Sequence, residues 1–184
     1  MSLPESTDSV KLITDKLIKD LIQRAEQSPR KRMNFNFHPS LEDNPHRFMN
    51  VMLRDTYITP HRHLKPPKSE SFVILDGAVA FIIFEDDGRI RETHTLGHSP
   101  GASARGIDIA PGIYHTLAVL TPHAVCFEVK PGPYEVTTDK EFAPWAPAEG
   151  DAGCADYLRE LINHHNRVKP NLAKPGTRIQ PRPL

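Results

Sequence analysis

Two histidines, His61 and His63, have the spacing in this chain that most directly suggests chemistry. They stand one residue apart where a strand is predicted to begin, and side chains on a strand alternate between its faces, so both project to the same side. Two imidazoles on one face can bind a single metal ion. Taken alone, the pair is equally consistent with two ordinary surface histidines, because a short motif needs its structural context.

Two further features lie on neighbouring predicted strands. Glu70 begins an apolar segment and is separated from the turn glycine Gly77 by six residues. A Pro-Gly turn precedes His115 at the start of another apolar segment. Two prolines lie between His63 and Glu70, and because proline cannot donate to a regular strand pairing, we expect a loop there.

Eight short segments with strand character must position these residues. They are separated by turn signals and not by helices, which favours an antiparallel sandwich or barrel. Asp76-Gly77 predicts a two-residue hairpin between its flanking strands, because type I′ turns need positive φ at both central positions. Asp87-Gly88 marks another turn. The segments are RFMNVML, TYITPH, ESFVIL, AVAFIIFE, RIRETHTL, ARGIDIA, HTLAVL and AVCFEVK.

Helical patterns flank the predicted strands on both sides. Residues 14–27 carry one apolar stripe, with Thr14 as the predicted N-cap and Pro29 just beyond the end. Residues 151–164 return to a helical pattern, and the basic end of the chain is too poor in apolar residues to fold alone. The predicted parts are an N-terminal helix with a connecting segment (1–45), a β-barrel (46–131), a loop with a C-terminal helix (132–166) and a proline-rich tail (167–184).

Composition excludes several classes of function. Lys plus Arg and Asp plus Glu are 23 each, so no overall field attracts nucleic acid or an anionic membrane. The two cysteines form no CxxC pair, which indicates a reducing compartment. The first residues lack the pattern of a signal peptide, and the longest apolar run, residues 78–84, is too short to span a bilayer. We expect a cytoplasmic protein that binds neither nucleic acid nor membrane.

The motifs described above resemble those of the cupin superfamily. Its first motif is HxH, a short gap, a glutamate, six residues and a glycine, and its second is a Pro/Gly turn followed by a histidine. The resemblance covers residues 56–128, and through HRHLKPPKSE, VKPGPY and FAPWAPAEGD it is strongest to the WbuC-type cupin metalloproteins. It implies an all-β-dominated fold, a small antiparallel jelly-roll barrel with an N-terminal and a C-terminal helix packed outside, holding one divalent metal in its mouth.

The resemblance implies that His61, His63 and His115 are metal ligands, with Glu70 as the fourth. The gap before Glu70 is longer than is usual in cupins, so Glu70 either reaches the metal or forms an ion pair with Lys68. Imidazole ligands suit iron, manganese, zinc and nickel alike, and the sequence does not choose among them.

Such an ion keeps open positions for a substrate, bound water or O₂. We expect a metal-dependent enzyme acting on a small polar substrate, a sugar, nucleotide-sugar or sugar acid, by isomerase, epimerase or oxygenase chemistry. The resemblance implies a link to bacterial surface-polysaccharide biosynthesis. There are two alternatives. One is a non-catalytic metal-bearing module that binds or senses carbohydrate, and the other is a structural protein in which the metal only stabilises the fold.

Several polar side chains are candidates for substrate binding or proton transfer at the mouth. Strand parity places some of them inward, and the segment around residue 32 is expected to fold over the mouth as a lid. A homodimer would cover the exposed sheet edges, although the two helices could do so instead. The candidate residues are Tyr57, Lys68, Tyr114, Lys130, Arg32 and Asn34.

Overall fold

Two antiparallel five-stranded sheets face one another in the computed structural model, which describes residues 10–98 and 101–168. In chain order the elements are α1 (Asp15–Gln27), β1 (Arg32–Asn36), β2 (His46–Leu53), β3 (His61–Arg62), β4 (Glu70–Asp76), β5 (Ala78–Phe84), β6 (Ile90–Gly97), β7 (Gly106–Ile109), β8 (His115–Val119), β9 (His123–Lys130), β10 (Glu141–Phe142) and α2 (Cys154–Arg167). The strand order is β1-β2-β9-β4-β7 in the first sheet and β10-β3-β8-β5-β6 in the second.

The predicted all-β-dominated fold with one helix near each end is confirmed, but the sheets form an open sandwich and not a closed barrel. Each strand of the described residues pairs within one sheet only. Where the chain passes from β6 towards β7, an isolated bridge between Leu96 and Ala104 and backbone hydrogen bonds around Thr95 connect the two sides. No helix among the described residues is long and apolar enough to cross a membrane.

Each helix covers the outer face of one sheet. The hydroxyl of Thr14 accepts a hydrogen bond from the amide of Leu17 at 3.1 Å, as expected for an N-cap. The apolar stripe of α1, with Leu21 and Ala25 fully buried, packs on β2 and β9 of the first sheet. On the second sheet, α2 buries Leu158 and Leu161 against β5 and β8. This packing leaves the space between the sheets free for the core and the site.

Asp76-Gly77 connects the two sheets and does not form the predicted hairpin. β4 pairs with β7 and β9, whereas β5 pairs with β6 and β8. Gly77 does adopt a positive φ of 74°, and a Cβ there would lie 2.2 Å from the carbonyl oxygen of His123. Asp76 does not adopt a positive φ, so the predicted type I′ turn does not form, and both flanking strands find partners elsewhere in the chain. The Asp87-Gly88 turn does join the paired strands β5 and β6.

The segments flanking the predicted barrel contribute strands to the two sheets. β1 comes from the connecting segment before residue 46 and pairs with all but the ends of β2, and β10 comes from the loop after residue 131 and pairs with β3. The predicted strand over residues 56–61 shrinks to β3, which begins only at its last residue. The proline-rich tail from residue 169 onward lies outside the described residues.

Candidate metal centre

Four buried side chains from both sheets meet in the interior of the sandwich. His61 and His115 are register partners on β3 and β8 of the second sheet, and Glu70 opens β4 of the first sheet. The Nε2 atom of His63 lies 3.0 Å from Oε1 of Glu70, and Nε2 of His115 lies 3.1 Å from Oε2. Donor atoms of His61, His63 and Glu70 all lie within 4.8 Å of one another. The structure thus brings together the four residues that the sequence motifs single out.

Each of these imidazoles is oriented through its other ring nitrogen, Nδ1. A carbonyl oxygen can only accept a hydrogen bond, so Nδ1 carries the proton and Nε2 keeps its lone pair. Metal-binding histidines are commonly held by just such carbonyl partners, which fix the tautomer and the ring orientation. The acceptors are the carbonyl oxygens of Thr59 for His61 at 3.0 Å, of Ile113 for His115 at 2.9 Å, and of Asp139 for His63.

The cluster leaves three buried polar atoms unsatisfied among the described residues: Nε2 of His63, Nε2 of His115 and Oε2 of Glu70. Buried polar atoms normally have hydrogen-bond partners, so this concentration of exceptions calls for a ligand. Both nitrogen lone pairs face the carboxylate of Glu70, and nitrogen and carboxylate donors of this kind suit a divalent transition ion. The residues present therefore fit the metal that the motifs imply.

The electrostatics keep the donors in the forms that bind a metal. Burial lowers the pKa of His61 well below its ordinary value, and the charge of Lys140 lowers it further, so this imidazole is neutral. Burial alone would raise the pKa of Glu70, but its contacts with His115 and His63 outweigh burial and hold that pKa well below its ordinary value. Glu70 is therefore an ionised carboxylate.

Glu70 does not form the ion pair with Lys68 that the sequence left open. Instead Asp139 binds two buried lysines, with Oδ1 2.8 Å from Nζ of Lys68 and Oδ2 2.8 Å from Nζ of Lys130. Lys130 lies 3.8 Å from Oε1 of Glu70. The acid that satisfies Lys68 comes from a later loop, which strand parity on β4 could not reveal.

The long gap before Glu70 is accommodated by a tight turn. An isolated bridge between Leu64 and Pro67 closes this turn, as expected for a loop built around two prolines. The amide of Gly112, in the predicted Pro-Gly turn, donates to the carbonyl oxygen of His63 at 3.0 Å. The turn returns the chain to the interior, and Glu70 is only 2% exposed.

The other predicted site residues divide into two groups. Lys130, Arg32 and Asn34 line a cavity of about 540 Å³ at the polar end of the sandwich. Arg32 and Asn34 do so as part of β1 and not as a lid, because β1 pairs with β2 inside the sheet. Lys68 is buried and bound to Asp139, so its ammonium is already paired.

Tyr57 and Tyr114 face away from the metal cluster, contrary to the sequence prediction. The hydroxyl of Tyr57 donates to the carbonyl oxygen of Pro147 at 2.8 Å, and that of Tyr114 to Oε1 of Glu141 at 3.2 Å. Both rings pack in the cluster beneath α2. Tyr114 immediately precedes His115, so the two side chains leave the backbone in opposite directions, and residues 55–60 are not a regular strand on which parity could be counted.

Glu128 is the most consequential residue that the sequence analysis missed. It is buried on β9 and accepts a hydrogen bond of 2.7 Å from Nδ2 of Asn50. Burial and the charge of Glu70 raise its pKa to about 8. On β9, Glu128 lies on the same face as Lys130 and the buried Cys126. The alternation of side chains along that strand therefore predicts that Glu128 points inward. Asp139 lies in a segment without strand or helix periodicity, so no sequence pattern predicts that it points inward.

The fold and the cluster together define an antiparallel β-sandwich with a candidate His-His-Glu metal site. A family model described as a domain of unknown function (DUF6016) matches residues 13–96. No curated protein sequence matches the chain.

Several solved structures are similar to this chain at low sequence identity. Protein SO0799 from Shewanella oneidensis is 14% identical over 86% of this chain and 98% of its own, with a TM-score of 0.51. The capsular polysaccharide assembling protein CapF from Staphylococcus aureus is 17% identical, with a TM-score of 0.49; the match covers 62% of this chain and 32% of CapF, about a third of that protein. KdgF from Halomonas is 13% identical over 59% of this chain and 84% of its own, with a TM-score of 0.44.

Proposed function

We propose that this protein is a metal-dependent enzyme that binds one divalent transition ion through His61, His63, His115 and Glu70. Its substrate is a small polar molecule, a sugar, nucleotide-sugar or sugar acid, and its chemistry is that of an isomerase, epimerase or oxygenase. The resemblance to WbuC-type cupins supports a place in surface-polysaccharide biosynthesis, and free cysteines support a reducing compartment such as the cytoplasm. A homodimer that covers the sheet edges is part of the same proposal.

One observation carries the proposal: the unsatisfied Nε2 atoms of His63 and His115 converge on the carboxylate of Glu70. If the histidines only stabilised the core, we would expect both ring nitrogens of each imidazole to form hydrogen bonds. Here Nδ1 of each imidazole is used for orientation, which leaves Nε2 directed into the cluster.

The chain's own residues supply the surroundings that such chemistry needs. A bound ion would supply Lewis acidity and open coordination positions for substrate oxygens. Asp139 holds His63 through its carbonyl and Lys130 through its carboxylate, so one residue positions both a donor of the cluster and a cation of the adjoining cavity. Glu128 lines the cavity, and a carboxyl there can exchange a proton with a bound ligand.

Metal content measured by plasma mass spectrometry tests the site. We expect close to one equivalent of a transition metal in the native protein and almost none in the His61→Ala, His63→Ala double variant. A matched double variant, His94→Ala with His123→Ala, removes two histidines that pair with surface carboxylates, and it should keep the metal. Absence of metal from the native protein, even after reconstitution with divalent ions, would refute the proposal.

Turnover tests the catalytic part separately. The metal-loaded protein is incubated with a panel of sugar acids and nucleotide-sugars, and products are followed by NMR spectroscopy. We expect conversion of at least one compound by the native protein and none by the double histidine variant. Binding of a compound without conversion would favour the alternative of a non-catalytic carbohydrate-binding module.

A further inference from the structure

The cavity of about 540 Å³ lies beside the metal cluster on the interior face of the first sheet. β1, β2 and β9 lie side by side there, and alternate residues of β1, of the first part of β2 and of the end of β9 line the cavity. They include Asn34 and Asn36 on β1, Asn50 on β2, and Glu128 and Lys130 on β9. A cavity of this volume accommodates a small organic ligand.

Four basic side chains line this cavity, but three of them are already paired. Arg30 and Arg32 both bind the carboxylate of Glu149 at 2.7 Å, and Lys130 binds Asp139 at 2.8 Å. The ammonium group of Lys140 makes neither an ion pair nor a hydrogen bond with any residue in 10–98 or 101–168.

Lys140 lines the cavity, and its charge acts on the metal cluster. After burial, that charge is the largest factor that lowers the pKa of His61. Burial and the neighbouring charge of Lys130 lower the pKa of Lys140 itself, and the charges of Glu128, Glu70 and Asp139 offset this only in part. A half-buried cation without a counter-charge in direct contact is costly, and an anionic group on a ligand would reduce that cost.

We propose that this cavity binds the anionic end of a small polyhydroxylated acid, a carboxylate or a phosphate, with Lys140 as the anchoring cation. The amide side chains of Asn34 and Asn36 face the same cavity and bind hydroxyl groups of the ligand. The inference deepens the proposed function, on which it rests for the placement of the reacting end near the metal. It narrows the substrate from polar molecules in general to anionic ones, because a neutral sugar would leave Lys140 unpaired.

Three probes that share one carbon chain test the inference: sorbitol, gluconate and sorbitol 6-phosphate. Binding to the metal-loaded protein is measured by isothermal titration calorimetry. We expect gluconate or sorbitol 6-phosphate to bind at least about tenfold more tightly than sorbitol, since a hydrogen bond to a charged group is worth roughly that factor or more. The preferred acid then identifies the anionic group as carboxylate or phosphate.

Variants assign the preference to Lys140. Lys140→Met should lower the affinity for the preferred acid by about tenfold or more and leave that for sorbitol unchanged. Lys140→Arg should retain the preference, because it keeps the charge. Lys19→Met removes one positive charge from the exposed face of α1 and should leave all three affinities unchanged.

The outcomes separate this inference from the proposed metal site. If the His61→Ala, His63→Ala variant lacks metal but still prefers the acid, the anion site is supported independently of the metal site. If the native protein holds metal but binds the acids no better than sorbitol, or binds none of the probes, the inference is overturned while the metal site survives. An unchanged preference in Lys140→Met would also overturn it.

Discussion

Glu70 and His115 belong to opposite sheets, and their side chains meet in the interior with Oε2 and Nε2 3.1 Å apart. The candidate metal centre therefore spans the sandwich and is not confined to one sheet. The two sheets share no strand among the described residues, so an ion bound here would join them at their polar end.

Metal loading should for this reason raise the stability of the fold. A ligand that binds only the native state adds about 2.7 kcal/mol at a free concentration of 100 times Kd. For a chain of this size that amounts to a rise of roughly 5–10 °C in Tm. Differential scanning fluorimetry with added metal or with a chelator measures it. The His61→Ala, His63→Ala variant should show no such rise, and an equal rise in both proteins would point to binding elsewhere.

Asp139→Ala should strongly destabilise the fold. Asp139 is the partner of two buried ammonium groups, and the substitution leaves Lys68 without a counter-charge and Lys130 with only the longer contact to Glu70. Loss of one partner from a buried ion pair costs about 3–5 kcal/mol. Urea denaturation measures the loss. The control is Asp156→Ala, which removes an exposed pair with Arg159 and should cost less than about 1 kcal/mol. Equal costs would contradict the assigned role of Asp139.

Gly77→Ala tests the link between the sheets. Gly77 has a φ of 74°, and an added Cβ would lie 2.2 Å from the carbonyl oxygen of His123, so the backbone itself would have to move. Gly150 also has a positive φ, 99°, but a Cβ there meets nothing within 4 Å in the described part of the chain. Gly150→Ala should cost about 1–2 kcal/mol from the left-handed backbone alone, and Gly77→Ala measurably more. Urea denaturation compares them, and equal losses would show that the close approach is relieved cheaply.

Glu149→Gln should destabilise the protein in a manner that depends on pH. Hydrogen bonds from Arg30 and then Arg32 lower the pKa of Glu149 to about 2, from an ordinary value of 4.5. Because the native state holds the ionised form, the stabilisation is complete above pH 4.5 and is lost as the pH falls towards 2. The pair is partly exposed, so its contribution is about 1 kcal/mol or less.

The measurement for Glu149 is the difference in Tm between the native protein and the variant. This difference should be largest near pH 7 and shrink steadily between pH 4.5 and pH 3. Glu26→Gln, at an exposed position on α1, should show little difference across this range. A Glu149→Gln difference that stayed constant with pH would mean that packing, and not charge, is what the substitution removes.

Much of the fold could be predicted because local signals and tertiary structure agree. The N-cap at Thr14 and the turn at Asp87-Gly88 each depend on residues close in sequence. The Asp76-Gly77 prediction was wrong because a turn sequence does not determine which strands pair across it, and here each flanking strand pairs in a different sheet. β10 has only two residues and is held by pairing with β3, so no sequence periodicity could reveal it.

The candidate site likewise combines residues that local motifs predict with residues that only the tertiary fold brings in. The four clustered residues lie in motifs with fixed spacing, and the structure brings them together. Asp139 and Lys140 reach the site from a loop distant in sequence, and only the folded chain shows them beside Lys130. Tyr114 was misplaced because strand parity was applied without noting that its neighbour His115 faces inward.

Anomalous diffraction from crystals of the metal-loaded protein tests the central claim most directly. Data collected at the absorption edge of the bound metal locate the ion without reference to the protein's chemistry. We predict one dominant peak between the imidazoles of His61, His63 and His115 and the carboxylate of Glu70, absent from crystals of the His61→Ala, His63→Ala variant. A dominant peak at other residues, or none in crystals of protein shown to contain metal, would contradict the account.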